Sequence, residues 1–139
     1  MDDKTELIGI LYRQHFEYGM DTMADIYMRE LFKLDKERAL RLLMDTFIEY
    51  YDDVTVVQGI LYVVSHYDYN DVEPQGPFMA KVALSHRDVQ AQDAGIRAFE
   101  GWGTEACLHE LKAVSYPECE WLNDYLKQVI IDIESELKK

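Results

Sequence analysis

Histidine and cysteine, the side chains that most often carry out chemistry in proteins, are few in this chain. None of the four histidines has the spacing of a recognised metal-binding motif: His15, His66, His86 and His109. His66 and His86 each stand beside a predicted turn, so we expect them to cap helix carbonyls or face solvent rather than share a zinc ion. Cys107 and His109 are two residues apart on a predicted helix and point to different faces, which argues against a cysteine–histidine nucleophile.

Carboxylates are the other candidates for chemistry. The run Asp68–Glu73, DYNDVE, superficially resembles a calcium loop, but it lacks the glycine at the sharp turn and the distal glutamate, so we interpret it as a solvated acidic loop. Asp52 and Asp53 could act as acid and base, but no apolar pocket or glycine-rich loop accompanies them, and a helix N-cap is the better interpretation. Phosphate-binding, dinucleotide-binding and nucleophile-elbow motifs are missing from the sequence. We therefore predict no catalytic residue, no metal and no cofactor, and a protein that is not an enzyme.

Charge gives the clearest indication of function. The 139 residues include 27 acidic and 14 basic side chains, for a net charge of −13. Such a field repels nucleic acids and anionic membranes and attracts basic partners. Between Arg41 and Lys81 there is no lysine or arginine, whereas seven acidic residues and five of the ten tyrosines lie there. This cation-free stretch is either a docking surface for a basic partner or a solvated face whose tyrosines border the core.

Length and composition predict one domain over residues 1–139, since 48% of the residues are apolar and no linker-like tract interrupts them. The N-terminus, MDDKTELIGILYRQ, is acidic ahead of a short apolar run, which is unlike a signal peptide, and no stretch is long enough to span a membrane. Cys107 and Cys119 lack CxxC spacing and are predicted to be reduced thiols. These features together lead us to expect a cytoplasmic protein.

Apolar residues recur at helical spacing in the first third of the chain. The first helix is predicted over about Lys4 to Tyr18, ended by Gly19. Asp21 and Asp35 are the predicted N-caps of the second and third helices.

The segment Val54–Tyr67 has the composition of a strand, but its apolar positions also fit one face of a helix. We favour the helix because the segment matches a helical segment later in the chain, as described below. The stretch Asp68–Gly76 is predicted to be a loop, with Pro77 in the first turn of the helix that follows. Trp102 and Trp121 are predicted core residues, and either would become an interface anchor if exposed. The remaining helices are predicted over residues 78–84, 88–100, 104–115 and 117–137.

Internal similarity indicates repeated hairpins. A shift of 35 residues places Val54–Tyr67 on Val89–Trp102 with apolar positions coinciding, and a shift of 30 aligns the latter segment with the last helix. One hairpin cannot bury its own apolar face, so such units stack and share a core. The matches predict three helical hairpins, with capping helices before them: hairpins at 36–67, 77–101 and 104–137, and caps within 1–33.

The segment Ala91–Gly103, AQDAGIRAFEGWG, resembles the second-helix consensus of the HEAT-repeat family of α-solenoids. Ala94, Ala98 and Phe99 occupy its small and apolar positions, and Gly103 stands at the closing glycine. The following TEACLHELKAVS resembles the family's first helix, and the resemblance extends over about 100 residues. It implies an all-α fold, a short right-handed α-solenoid of stacked antiparallel helical hairpins with about eight helices.

The resemblance also implies where a partner would bind, because the second helices of such solenoids line the concave face. The acidic loop would lie at the rim of that face. Tyrosine offers a large amphipathic contact area, and carboxylates attract lysine and arginine. The predicted partner-binding residues come from the second helices and from the acidic loop: Tyr62, Asp68, Tyr69, Asp71, Glu73, Asp93, Arg97 and Asp124.

The sequence thus predicts an acidic protein-binding module that docks and neutralises a basic protein partner. A concrete version is an immunity protein against a bacterial nuclease-type toxin. A nucleic-acid-mimicking inhibitor from a mobile element, with carboxylates spaced like phosphates, and a non-catalytic scaffold or adaptor remain alternatives. Direct binding of nucleic acid or membrane is not expected at this charge.

Overall fold

The computed structural model describes residues 2–14 and 20–139. Within these two ranges the chain forms nine helices and no strand. The helices follow one another in chain order: α1 Asp3–Arg13, α2 Met23–Leu34, α3 Lys36–Glu49, α4 Val54–Ser65, α5 Tyr69–Val72, α6 Gln75–Ala83, α7 Val89–Trp102, α8 Glu105–Ala113 and α9 Glu120–Leu137. The prediction of an all-helical chain is confirmed for the described residues.

Helix starts follow from the capping side chains. Asp35 and Asp53 cap α3 and α4 as predicted, each accepting a hydrogen bond from the backbone N–H three residues on. The prediction for α2 was wrong, because its N-cap is Thr22 and not Asp21. Thr22 and Asp25 form a capping box, in which the Thr22 N–H donates to Asp25 Oδ2 at 2.7 Å and the Asp25 N–H donates to Thr22 Oγ1 at 3.2 Å.

The first helix is shorter than the sequence pattern predicts. Helix α1 ends at Arg13, and Gln14 has an extended backbone. The rest of the predicted helix, from His15 to Tyr18, and its predicted end at Gly19 lie outside the described residues.

The segment Val54–Tyr67, whose composition fits either a strand or a helix, forms helix α4 over Val54–Ser65. Its β-branched residues favour a strand, but eight of its twelve residues are buried, on more than one side of the helix. Helix α4 packs against α7 most extensively and also against α1, α2, α3 and α6. Burial on several faces therefore stabilises a helix that local propensity alone would not favour.

Helices adjacent in sequence pack as pairs, α3 on α4, α6 on α7 and α8 on α9. Neighbouring pairs are joined by contacts of α3 with α6, of α4 with α7 and of α7 with α9. Buried side chains from α1 to α9, including Phe47 and Phe99, form one connected apolar core. Gly95 permits the close approach of α6, since a Cβ at that position would lie 2.8 Å from the Ala80 carbonyl oxygen.

The acidic segment Asp68–Gly76 was predicted to be a loop, but part of it is helical. Residues Tyr69–Val72 form the helical turn α5, and buried Val72 anchors it. Helix α6 then begins at Gln75, before Pro77. A buried apolar side chain in an otherwise polar run gives this segment a fixed position, which its composition did not indicate.

Helix α9 also differs from its prediction. It begins at Glu120 rather than at Pro117, and Trp121 is 49% exposed. The prediction of Trp121 as a core residue was wrong, because the buried face of α9 is formed by Leu122, Leu126 and Val129 instead. Among the described residues, no helix combines the length and the apolar character needed to cross a lipid bilayer.

Candidate functional site

A cavity of about 500 Å³ lies where the C-terminal ends of α4 and α7 meet α5. We call it the α5 cavity. Three of its lining residues are aromatic and two are carboxylates, and no lysine or arginine is among them. The lining residues come from three neighbouring segments: Tyr67, Asp68, Tyr69, Asn70, Asp71, Gly101, Trp102 and Thr104.

The aromatic walls of the α5 cavity are held by specific contacts. The rings of Tyr69 and Trp102 meet edge to face, with centroids 5.8 Å apart and planes 85° apart. The indole Nε1–H of Trp102 donates to the Tyr67 carbonyl oxygen at 3.1 Å, and the Tyr67 ring stacks on Phe32 at 4.2 Å. Each wall therefore has its orientation fixed by a neighbour.

The carboxylates of the α5 cavity are exposed. Asp68 is the N-cap residue of α5, but its side chain makes no capping hydrogen bond. Asp71 lies 3.7 Å from the Lys36 ammonium, a contact between two half-exposed side chains. Burial raises the pKa of the Tyr67 and Tyr69 hydroxyls, so both remain neutral at physiological pH. Asp68 and Asp71 make the mouth of the cavity negative, and Lys36 offsets part of that charge at Asp71.

A second depression, the α4–α7 groove, has a volume of about 200 Å³. Tyr62 and His66 line it from α4, and Arg97 and Glu100 line it from α7. Gly101 is the one lining residue that the groove and the α5 cavity share.

His66 belongs to a side-chain network that no sequence pattern indicates. Its Nδ1 lies 2.8 Å from Asp25 Oδ1, across 41 residues of sequence. This hydrogen bond raises the pKa of His66, with burial opposing it and Asp21 adding to it. The Arg29 guanidinium, which contacts Asp21 at 2.9 Å, opposes protonation of the imidazole.

The same network offers three potential metal ligands. One atom each of Asp21, Asp25 and His66 lie within 4.8 Å of one another. However, both oxygens of Asp25 already accept hydrogen bonds, and Arg29 pairs with Asp21. A cation would have to displace these contacts, so the geometry fits an ion-pair network better than a metal centre.

His86 has the capping role predicted for it. Its Nε2 lies 2.7 Å from the Tyr51 carbonyl oxygen, and its Nδ1 accepts the Asp88 N–H at 2.9 Å. With one ring nitrogen accepting, the other donates, which identifies the neutral Nε2–H form. The ring is 2% exposed and joins the end of α3 to the start of α7.

The structure brings some of the predicted binding residues together and separates others. Asp68, Tyr69 and Asp71 all line the α5 cavity. Glu73 and Asp124 are exposed but line neither depression.

Two further predicted residues are held inside the fold. Tyr62 is only 6% exposed, and its hydroxyl bonds to the N–H and carbonyl of Met20. Asp93 is 4% exposed and accepts a hydrogen bond from Arg97 Nε at 2.9 Å. The Arg97 guanidinium also lies over the Tyr125 ring, 5.1 Å from its centroid. Arg97 is the most exposed of these three predicted residues on α4 and α7, with 38% of its side chain exposed.

Trp102 and Tyr67 are cavity residues that are missing from the predicted partner-binding residues. Trp102 was predicted to be core, yet it is only half-buried and forms a wall. The internal repeat contained the relevant signal, because the 35-residue shift aligns Tyr67 with Trp102. Equivalent residues at the ends of adjacent stacked helices lie close together in space.

Comparison with protein-family models, curated proteins and solved structures gives no match for this chain.

Proposed function

We propose that this chain is an acidic protein-binding module that docks a basic protein partner and thereby neutralises it. The observation that carries the proposal is the α5 cavity, in which exposed Asp68 and Asp71 stand beside the aromatic walls of Tyr69 and Trp102. Carboxylates steer a basic partner to the surface, and fixed aromatic rings supply contact area once it arrives.

The packing of the helices supports a HEAT-like, right-handed solenoid as part of the same proposal. Helices α4, α7 and α9 follow one another through direct contacts, and each pairs with the helix before it in the hairpin. In such a stack, α4, α7 and α9 would present one continuous face. Arg97, Glu100 and Tyr125 on α7 and α9 already contact one another across that face.

A concrete form of the proposal is a cytoplasmic immunity protein that blocks a nuclease-type toxin. The mixed aromatic and acidic lining of the α5 cavity favours a protein partner over mimicry of nucleic acid, which calls for rows of exposed acids without aromatic walls. Neutralisation would follow from covering the basic surface that a nuclease uses to hold its substrate.

The test is affinity capture from a lysate of the source cells, with identification of the bound proteins and their charge. We expect basic proteins, and we expect capture to fall at least about ten-fold between 0.05 and 0.3 M NaCl because screening weakens steering. Neutral or acidic partners held independently of salt would overturn the proposal.

A pair of variants tests whether capture of the partner depends on the α5 cavity. The Asp68→Asn/Asp71→Asn variant should retain markedly less of the same partner than the wild type. Asp45→Asn/Glu118→Gln removes the same charge from exposed acids outside the cavity lining and should capture like the wild type. Equal losses in both variants would show that net charge alone, without the cavity, accounts for the binding.

A further inference from the structure

We infer that the α5 cavity is a receptor for a single arginine side chain of the partner, an inference that rests on the proposed function. The cavity combines two groups that a guanidinium recognises, aromatic rings and carboxylates. Its volume of about 500 Å³ is within the range of sites that enclose small organic groups. An arginine side chain with part of its backbone fits such a space.

The aromatic walls provide the first half of the recognition. Tyr69 and Trp102 stand at 85° to each other, so two rings border the same space from different directions. A cation within about 6 Å of a ring face is attracted by the ring quadrupole, most strongly by tryptophan. The Trp102 indole is held by its hydrogen bond to Tyr67, so it need not reorient to accept a cation.

The carboxylates provide the second half. Asp68 and Asp71 both line the cavity and are exposed at its mouth. Asp71 also lies 3.7 Å from the Lys36 ammonium, so an incoming guanidinium would compete with Lys36 there and meet Asp68 beside it. A planar guanidinium can stack on a ring while its edge donates two hydrogen bonds to a carboxylate. A lysine ammonium is compact and strongly hydrated, so it can make the charge contact but not the stacked one. This difference selects arginine over lysine.

The test uses an acetylated, amidated pentapeptide with one central arginine between glycines. Binding is followed by NMR through the indole N–H signal of Trp102, which is identified by its persistence in a Trp121→Phe variant. We expect a saturable shift with a dissociation constant on the order of 1 mM. The lysine peptide should bind at least about three-fold more weakly, and the neutral citrulline peptide should give no saturable shift.

Two matched variants localise the peptide. In the Asp68→Asn/Asp71→Asn variant, the arginine peptide should no longer shift the indole N–H signal of Trp102. In the Asp45→Asn/Glu118→Gln variant, the peptide should still shift this signal. Tyr69→Leu, which keeps an apolar side chain but removes a ring, should weaken arginine binding, with thermal unfolding confirming that the variant is folded. Equal affinities for the arginine and lysine peptides would overturn the inference. An equal loss of arginine-peptide binding in the two charge variants would overturn it as well.

The inference can fail while the proposed function stands. In that case the captured basic protein still depends on Asp68 and Asp71, but the arginine peptide does not shift the Trp102 signal. If no basic protein is captured at all, the proposed function itself is wrong.

Discussion

The imidazole of His66 is fixed by the buried carboxylate of Asp25, which is itself part of the capping box at the start of α2. One side chain therefore joins the start of α2 to the end of α4. The hydrogen bond raises the pKa of His66 above its ordinary value of 6.5. Because the raised pKa belongs to the folded state, protonation of His66 stabilises the fold.

The pH dependence of this contribution has a definite sign. The stabilisation is fully present below the unfolded pKa of about 6.5 and is lost as pH rises through the higher folded pKa. Because His66 is exposed and its charge is partly screened by solvent, we expect His66→Gln to lower the free energy of unfolding by only about 0.5–1 kcal/mol at pH 6.0, and by clearly less at pH 8.5. Denaturant unfolding of both proteins at the two pH values measures the difference.

His109→Gln is the matched control for this prediction, because His109 is exposed on α8. It should leave the free energy of unfolding nearly unchanged at both pH values. A loss in His66→Gln that is the same at pH 6.0 and pH 8.5 would show that the imidazole contributes packing alone, without its charge.

At the scale of the elements, Gly95 decides how closely α6 and α7 approach. A Cβ at this position would lie 2.8 Å from the Ala80 carbonyl oxygen and 3.3 Å from the Ala83 Cβ. The nearest atom is backbone, so relief requires a shift of one helix relative to the other. This steric cost competes with the roughly 1 kcal/mol by which alanine favours a helix over glycine.

We expect the steric cost to win, so that Gly95→Ala lowers the free energy of unfolding by about 1–2 kcal/mol. Gly101→Ala, on the same helix, is the matched control, since its nearest atom would be 3.6 Å away. It should be neutral or stabilising by up to about 1 kcal/mol. Thermal or denaturant unfolding of the pair checks this, and a stabilised Gly95→Ala would refute the close-approach explanation.

The elements that could be predicted from sequence are those with local signals. Asp35 and Asp53 predict the starts of helices α3 and α4, because a capping side chain accepts a hydrogen bond from a backbone N–H within three residues. For Val54–Ser65 the apolar spacing left strand and helix open, and the internal repeat decided for a helix against the β-branched composition. The short helix α5 could not be foreseen, since nothing in the composition of this polar run shows that Val72 is buried.

The candidate site was predictable only in part for the same reason. The acidic loop could be recognised from its composition, and Asp68, Tyr69 and Asp71 do line the α5 cavity. Pairing of His66 with Asp25, in contrast, spans 41 residues and leaves no pattern in the sequence. Long-range contacts of polar side chains are set by the packing of helices, which a single sequence does not encode in any periodicity.

At the scale of the whole molecule, the excess of negative charge is the feature that most affects stability. The net charge of −13 makes the folded chain repel itself, and its ion pairs are mostly exposed, as Arg87 with Asp52 shows. Exposed pairs contribute little to stability, so screening them costs little, whereas screening the excess of negative charge stabilises the compact state.

We therefore expect the thermal midpoint to rise by a few degrees, on the order of 3 °C, when NaCl increases from 0.01 to 0.3 M, as the Debye length shortens. Asp45→Asn/Glu118→Gln changes the net charge from −13 to −11, because it removes two of the carboxylates, and should show a smaller rise. A midpoint that falls with salt would mean that the ion pairs matter more than the repulsion. Calorimetry or circular dichroism gives the measurement.

The position of the α5 cavity has a thermodynamic consequence. It is built on the ends of α4 and α7, the two helices that pack together most extensively, and its walls are already oriented by neighbouring rings and a hydrogen bond. A preorganised receptor loses little conformational entropy when it is occupied. Association should therefore resemble rigid docking, in which the ordering cost falls on the incoming partner's side chain rather than on this chain.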